Sequence, residues 1–470
     1  MNPARTKQKS QPPLATLRTV LQRIATFAAT PLARRLALGL FVLQAVVLVF
    51  VVRVGTPPDE TNHVQFIEYY ANHSLSPVFT DQQPTYNLGD KTREVDYLYH
   101  YAMSFVYRAL PLSAHGKHMV IRLLTVVLAV VCFLVLANVF RRVGLSPGAI
   151  TAALLVLSNL PMVLFMSSAI NNDVLVWVGM ALGVLLLVRL WERPTAVDLV
   201  WLFTLAIMGG LVKRNLLVVG MVLGVLGFVV LVRHFRVIVA QLGHLNWHLC
   251  VALAVLLLGV ALFAERVGGN LVRYGSIVVA CEQVRSEAAC YDFWANIRAR
   301  ELARQTPGPL MPPHDFVISW TSDSFFNIVD IQTQGWRHEV KPVRWLTPVL
   351  VYVLFVGLVY GIFYEKARLR RDQQSRWRLY VVAIALFYIA MQLAVNFATY
   401  RHLQVYGVAL NGRYIIPSVL LLSGFAGFYW AKLLARRPSV LALMTIALVV
   451  ATIFGSGLML LLRNPQSYTG

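Results

Sequence analysis

Four short polar clusters interrupt a largely apolar chain, and their residue types suit acid–base and phosphate chemistry. The first is Thr56-Pro57-Pro58-Asp59-Glu60-Thr61-Asn62-His63, directly after an apolar run. Thr56 is a good N-cap and Pro57 suits a first helical position, so the spacing predicts a helix starting there. Such a helix sets Asp59 and His63 four residues apart on one face, with Glu60 beside them. Ionisable residues at a membrane exit are costly to desolvate and are read first as functional. Alternatively, Asp59 is the acidic half of a capping box that holds a surface helix in register.

The second cluster is Asn171-Asn172-Asp173, two amides and a carboxylate with apolar sequence close on both sides. A plain polar turn between two spans accounts for it structurally; positioning a sugar accounts for it functionally. The third, Lys213-Arg214-Asn215, places adjacent cations where a phosphate could be clamped. Its bland alternative is a cytoplasmic turn, if the topology is off by one span. The fourth is Asn411-Gly412-Arg413-Tyr414-Ile415-Ile416-Pro417, with Arg401 and His402 just upstream. An arginine at a helix start is an anion site, or else a snorkelling cation beside a belt tyrosine.

The elements that must position these clusters are membrane spans. Of 470 residues, 58% are hydrophobic and only 13% charged, a composition of a polytopic membrane protein. The net charge of +21 would suggest nucleic acid in a soluble protein, but here the cations sit in short joints between apolar runs. Nucleic acid is therefore not an expected partner; the bilayer is. A span needs about 20 apolar residues. Eleven runs qualify, near 36–54, 119–140, 149–169, 174–190, 197–212, 216–232, 247–264, 345–364, 379–398, 415–432 and 441–462. The fourth to sixth are short, so one or two are expected to be tilted or broken. The expected fold class is an all-α polytopic bundle.

Residues 1–35 form a basic, polar segment, and no small-x-small cleavage site follows the first run, which reads as an uncleaved anchor. Placing that segment in the cytoplasm puts the basic joints Arg141-Arg142, Arg189 to Arg193, Arg233 to Arg236, Lys366 to Arg378 and Lys432 to Arg437 on the same side. The four polar clusters, long loops 55–118 and 265–344, and a short tail at 463–470 then face outward. The Ile67 to Tyr70 and Leu98 to Leu110 segments read as helices lying along the surface. Cys132 and Cys250 fall in apolar runs and read as small buried hydrophobes. Cys281 and Cys290 share an outer loop and form a disulfide if that side is oxidising.

There is no P-loop, no dinucleotide glycine fingerprint and no Gly-x-Ser-x-Gly elbow, so group transfer here would need a donor other than a free nucleotide. An activated lipid phosphate delivered from the bilayer meets that need. Pro58-Asp59-Glu60-x-x-His63, Asn171-Asn172-Asp173 and Gly412-Arg413-Tyr414-x-x-Pro417, in this order, resemble a family of bacterial membrane proteins known as an uncharacterised domain. That family is similar to the GT-C superfamily of polyprenyl-phosphate-dependent glycosyltransferases, which includes aminoarabinose and protein mannosyltransferases. The likeness covers roughly 36–435. It implies a GT-C-like domain over 36–462 and an acidic residue in the first outer loop, Asp59, as base or acceptor-binding group. The His-Pro-Pro element of several relatives is missing; Tyr97-Leu98-Tyr99-His100-Tyr101 stands nearby.

The expected activity is thus transfer of a sugar from a polyprenyl-phosphate donor to an envelope glycan or lipid acceptor at the periplasmic face of a bacterial inner membrane. Asp59, with Glu60 and His63, would handle the proton. Lys213, Arg214 and Arg413 with Tyr414 would bind the phosphate, and Asn171, Asn172 and Asp173 the sugar. A divalent metal on Asp59 and Asp173 is permitted by the acid count but dictated by no spacing. Two other classes compete, a transporter or flippase for lipid-linked saccharides and a non-catalytic subunit of an envelope-glycan complex. Missing repeats and few mid-span charges speak against the transporter.

Overall fold

A computed structural model describes residues 13–73, 95–277, 279, 283, 301, 310–329, 346–369, 372–406, 412–455 and 459. The loop cysteines Cys281 and Cys290 and the tail 463–470 lie outside the described residues. Among the described residues regular structure is helical throughout, and the described parts of the eleven apolar runs are helical, the third run as two helices. Among the described residues eight helices are long and apolar enough to cross a membrane, nine if a bent pair counts as one span, and two further apolar helices are shorter.

In chain order, α1 (Pro13–Ala28) precedes α2 (Pro31–Val51), which starts at a proline-led turn capped by Thr30. Two surface helices follow, α3 (Glu60–His73) and α4 (Leu98–Ala109). The spans α5 (Ala114–Arg142), α6 (Pro147–Ser158) with α7 (Pro161–Ser167), α8 (Asp173–Glu192), α9 (Ala196–Val212) and α10 (Arg214–Arg233) come next. Short α11 (Phe235–Leu242) leads to α12 (Trp247–Phe263), which continues through a π-turn (Ala264–Gly268) into α13 (Gly269–Tyr274). The remainder is α14 (Pro313–Val329), α15 (Leu346–Lys366), α16 (Gln373–Leu403), α17 (Ile416–Leu433) and α18 (Pro438–Phe454).

The break expected among the fourth to sixth runs falls in the third instead. α6 and α7 are bent by 74°. Pro161 has no N–H to continue the ladder, and Asn159 and Gln44 take up the polar groups at the break. Gln44 Nε2 donates to Asn159 Oδ1 at 2.9 Å, and Asn159 Nδ2 donates to the Leu155 carbonyl at 2.7 Å.

Two buried ion pairs mark the ends of the bundle. At the start of α5, Arg122 pairs with Glu60. Just past its end, Arg378 Nε donates to Glu365 Oε1 at 2.6 Å and Nη1 to the Val143 carbonyl at 2.8 Å, joining α15, α16 and α5. α5 closes there because Gly144 adopts φ +87, which lets the Leu145 N–H reach the Phe140 carbonyl at 2.9 Å. Arg122 and Val143 stand roughly 30 Å apart along a continuous helix, a membrane's hydrocarbon depth.

α3 and α4 pack together over the Arg122 end. Tyr69, Tyr70 and Tyr97 close on Leu211, and Ile67 and Tyr99 on Ile121 and Ile170. The buried Arg266 of the π-turn stacks on Tyr97, 4.1 Å from the ring centre. α14 lies over the same end, with Phe316 stacked on Tyr400 at 5.2 Å. Cys132 is buried as expected, but Cys250 is exposed, because α12 turns that face of its apolar run outward.

Candidate functional site

α3 begins at Glu60, not at Pro57. Gly55 and Asp59 both adopt left-handed backbone, φ +88 and +61, which a right-handed helix cannot include. Asp59 stands instead where the helix is entered, its carbonyl accepting from the His63 N–H at 3.0 Å. The single left-handed residue swings the Asp59 side chain off the α3 axis and onto the start of α17.

There it meets Arg413. Arg413 Nη2 donates to Asp59 Oδ2, and Nη1 donates to the Pro58 carbonyl at 3.1 Å. Arg413 Nε lies 3.6 Å from Asp173 Oδ2, and Lys213 Nζ donates to Asp173 Oδ1. Tyr414 is shared by the cations, with Lys213 Nζ and the Arg413 guanidinium each 5.1 Å from its ring centre. Asp59, Arg413, Asp173 and Lys213 thus form a line of alternating charge drawn from four separate places in the chain. Residues from all four sequence clusters sit at one end of the bundle, which sequence order alone does not bring together.

Exposure along the line is uneven. Arg413 and Asp173 are buried, whereas the Asp59 side chain is 43% exposed, so the line meets solvent at its acid. Arg413 Nε, Asp173 Oδ2 and Asn172 Oδ1 are buried without a hydrogen bond. Unused donors and acceptors of this kind cost free energy unless a ligand or water engages them. Gly412 makes the geometry attainable. A Cβ there would come within 2.3 Å of the Ser324 carbonyl oxygen on α14.

The remaining expected residues divide. Glu60 is fully buried, and the common face expected for Asp59 and His63 is not formed, because Asp59 turns to Arg413 and His63 to His100. It accepts from Arg122 Nε and Nη2 at 2.8 and 2.6 Å, and from the Gly55 and Ile170 N–H groups at 2.8 Å each. Both oxygens are twice engaged, which fits a positioning residue rather than a proton carrier. His63 Nδ1 lies 2.8 Å from His100 Nε2, a contact between α3 and α4. Asn171 caps α8, its Oδ1 accepting from the Asp173 and Val174 N–H groups at 2.9 and 3.2 Å. Asn172 Nδ2 donates to the Val212 carbonyl at 3.0 Å, fixing α8 to the end of α9. Arg214 points away from the line and lies 3.9 Å from Asp96, half exposed.

Arg122 and His100 enter the site without having been assigned to it from sequence. Arg122 carries a detectable signal, a lone cation inside the 119–140 apolar run, which requires a buried partner. Burial pushes the Tyr99 phenol, between these residues, well above its ordinary range, so it stays neutral. No group of three or more His, Cys, Asp or Glu side chains among the described residues is arranged to hold a metal. Asp59 and Asp173 do not fit a metal-ligand pair here, because the Arg413 guanidinium lies between them.

No family model matches the sequence, and no curated protein matches it. Among solved structures, the apo crystal structure of the Archaeoglobus fulgidus oligosaccharyltransferase aligns with 93% of this chain at 13% identity and a TM-score of 0.41. The chain spans 56% of that protein's length. At that score and identity the likeness assigns no activity to this chain.

Proposed function

We propose that the chain is a GT-C-type membrane glycosyltransferase that moves a sugar from a polyprenyl-phosphate donor to an envelope glycan or lipid acceptor. The half-exposed Asp59 carboxylate, at the open end of a buried line of charge, carries this proposal. Asp59 takes the proton of the acceptor hydroxyl as its oxygen bonds to the sugar's anomeric carbon. The bond from that carbon to the lipid phosphate breaks, and its electron pair stays on the phosphate oxygen. Arg413 holds the Asp59 carboxylate and the Pro58 carbonyl, fixing the acid at the open end of the line. Lys213, with Arg413, stabilises negative charge at the phosphate. Glu60 and Arg122 hold the Asp59 turn, and His63 with His100 walls the acceptor side.

In the proposed orientation the α1 end is cytoplasmic, and the Asp59 end faces outward in a bacterial inner membrane. The positive-inside pattern of the joints supports this. The test is transfer of sugar from a purified polyprenyl-phosphate donor by the solubilised protein, alongside comparison of a deletion strain with its parent. Loss of a sugar branch with accumulated donor supports transfer. Donor trapped on the cytoplasmic leaflet would identify a flippase instead.

A further inference from the structure

A second site lies at the other end of the bundle. α9 spans 17 residues, so its first turn stands roughly 25 Å from Lys213 at its far end. Beside that first turn a cavity of about 820 Å³ opens between the end of α8, the start of α9 and the α11–α12 connection. Its volume falls within the range of small-molecule sites. Arg189, Trp201, Gln241, His244, Trp247 and His248 line it.

The cavity is held in shape. Gln241 Oε1 accepts from the Ala196 N–H at 2.8 Å, and Nε2 donates to the Pro194 carbonyl at 3.3 Å, tying α11 to the start of α9. Arg189 Nη2 contacts the buried Asp198 Oδ1 at 2.8 Å while its side chain stays about half exposed. One edge of the guanidinium is thereby fixed, and a five-donor fork retains N–H groups for a second acceptor.

Its depth is also set. α11 buries Ile238 and exposes Phe235, Val239 and Leu242 along one face, with Arg233 and Arg236 at its N-terminal end. A short helix with an outward apolar face and flanking cations lies in the headgroup layer. Trp247, 77% exposed, belongs at the same level, where tryptophan concentrates. Asp198, the one acid in the cavity wall, is already paired with Arg189, so the wall's remaining polar character is donor-rich.

We propose that this cavity binds the headgroup of an anionic phospholipid, with the phosphate on Arg189, His244 and His248 and the glycerol region against Trp201 and Trp247. Basic pockets between spans at the headgroup level take such lipids, and the site is independent of the transfer reaction. Delipidated protein in a neutral detergent should be stabilised against thermal unfolding by phosphatidylglycerol and not by phosphatidylcholine. Native mass spectra should show retained phosphatidylglycerol. His244→Gln/His248→Gln, at two exposed positions that leave the Arg189–Asp198 pair intact, should weaken retention about tenfold; adding Arg189→Gln should abolish it. Arg436→Gln/Arg437→Gln, at another basic joint, should leave it unchanged. Equal stabilisation by phosphatidylcholine, or unaltered retention in the histidine variant, would overturn the proposal. Equal stabilisation by millimolar inorganic phosphate would assign the cavity to a soluble anion and overturn the lipid assignment.

Discussion

Arg122 directs Nε and Nη2 onto the two oxygens of Glu60, at 2.8 and 2.6 Å, and neither side chain reaches solvent. Adjacent acids therefore have opposite surroundings: Glu60 is locked into the bundle and Asp59 is left at its edge. Arg122 Nη1 also donates to the Val49 and Val52 carbonyls at 3.0 and 2.6 Å, so one cation gathers the end of α2, the start of α3 and α5.

Glu60→Gln should accordingly act on stability. Removing one partner of a buried pair leaves the other charge uncompensated, at a cost of about 3–5 kcal/mol. Glu60→Gln combined with Arg122→Leu should recover part of that loss, because the second change removes the stranded charge. Thermal unfolding of the solubilised variants measures both. A fully stable Glu60→Gln protein would show that Glu60 does not organise this end of the bundle.

Gly412→Ala tests whether the position of Arg413 depends on the contact with α14. The added methyl would meet the Ser324 carbonyl at 2.3 Å and Asn327 Cβ at 2.8 Å, so backbone must shift. Overpacking of this sort costs about 1–3 kcal/mol, and the shift should move Arg413 off Asp59. Loss of transfer larger than the loss of stability is the expected outcome, and an active, stable variant would refute it.

Lys213 and Arg214 should separate, although they are neighbours in sequence. Lys213→Gln removes one of the two cations on the buried Asp173, the other being Arg413, and should lower both stability and donor affinity. The Arg214 side chain is 46% exposed where it lies near Asp96, and exposed ion pairs contribute little, so Arg214→Gln should cost less stability than Lys213→Gln. Titration of the donor against each variant, beside its unfolding midpoint, gives the comparison. Equal destabilisation by the two changes would contradict the assigned environments.

His100→Gln should mimic His63→Gln, because the two rings form one contact at 2.8 Å. Either change is expected to raise the acceptor KM several-fold with a smaller effect on kcat, as a wall residue does. A double variant no worse than either single one would confirm shared action. Strict additivity would mean that the two act apart.

The spans are legible in the sequence because a lipid solvent demands long apolar helices, and the described parts of these runs are helical, the third with a bend. The bend at Asn159–Pro161 is hidden in the sequence, because a continuous apolar run masks a break that only Pro161 and the Gln44 partner disclose. Asp59, Asp173, Lys213 and Arg413 were picked out as costly polar residues at span ends, a local property. What no local property reveals is pairing: that Arg413 reaches Asp59 across 354 positions, or that Glu60 turns inward to Arg122. The start of α3 departs from the Thr56-Pro57 expectation for a related reason. Thr56 and Pro57 carry a helix-start signal, but the left-handed Asp59 overrides it, and its conformation is held by the tertiary contact with Arg413.

Asp59→Asn separates chemistry from architecture. Asparagine tolerates the left-handed region as well as aspartate does, so φ +61 can be kept and the turn before α3 should persist. The amide oxygen still accepts from Arg413 Nη2, and Arg413 retains Asp173 as its charge partner. The pair being replaced is partly exposed, so the loss of stability should stay near or below about 1 kcal/mol. What asparagine cannot do is take the acceptor's proton, and loss of a general base slows transfer by about a hundredfold or more. Initial rates from a purified polyprenyl-phosphate sugar, with unfolding midpoints of the same preparations, read both quantities. Donor affinity should hold or rise, since one negative charge near the phosphate is gone. Asp59→Ala should be as slow but less stable, because alanine is strained at a positive φ. A stable Asp59→Asn protein with full transfer activity would exclude Asp59 as the base and leave its pairing with Arg413 a purely structural link.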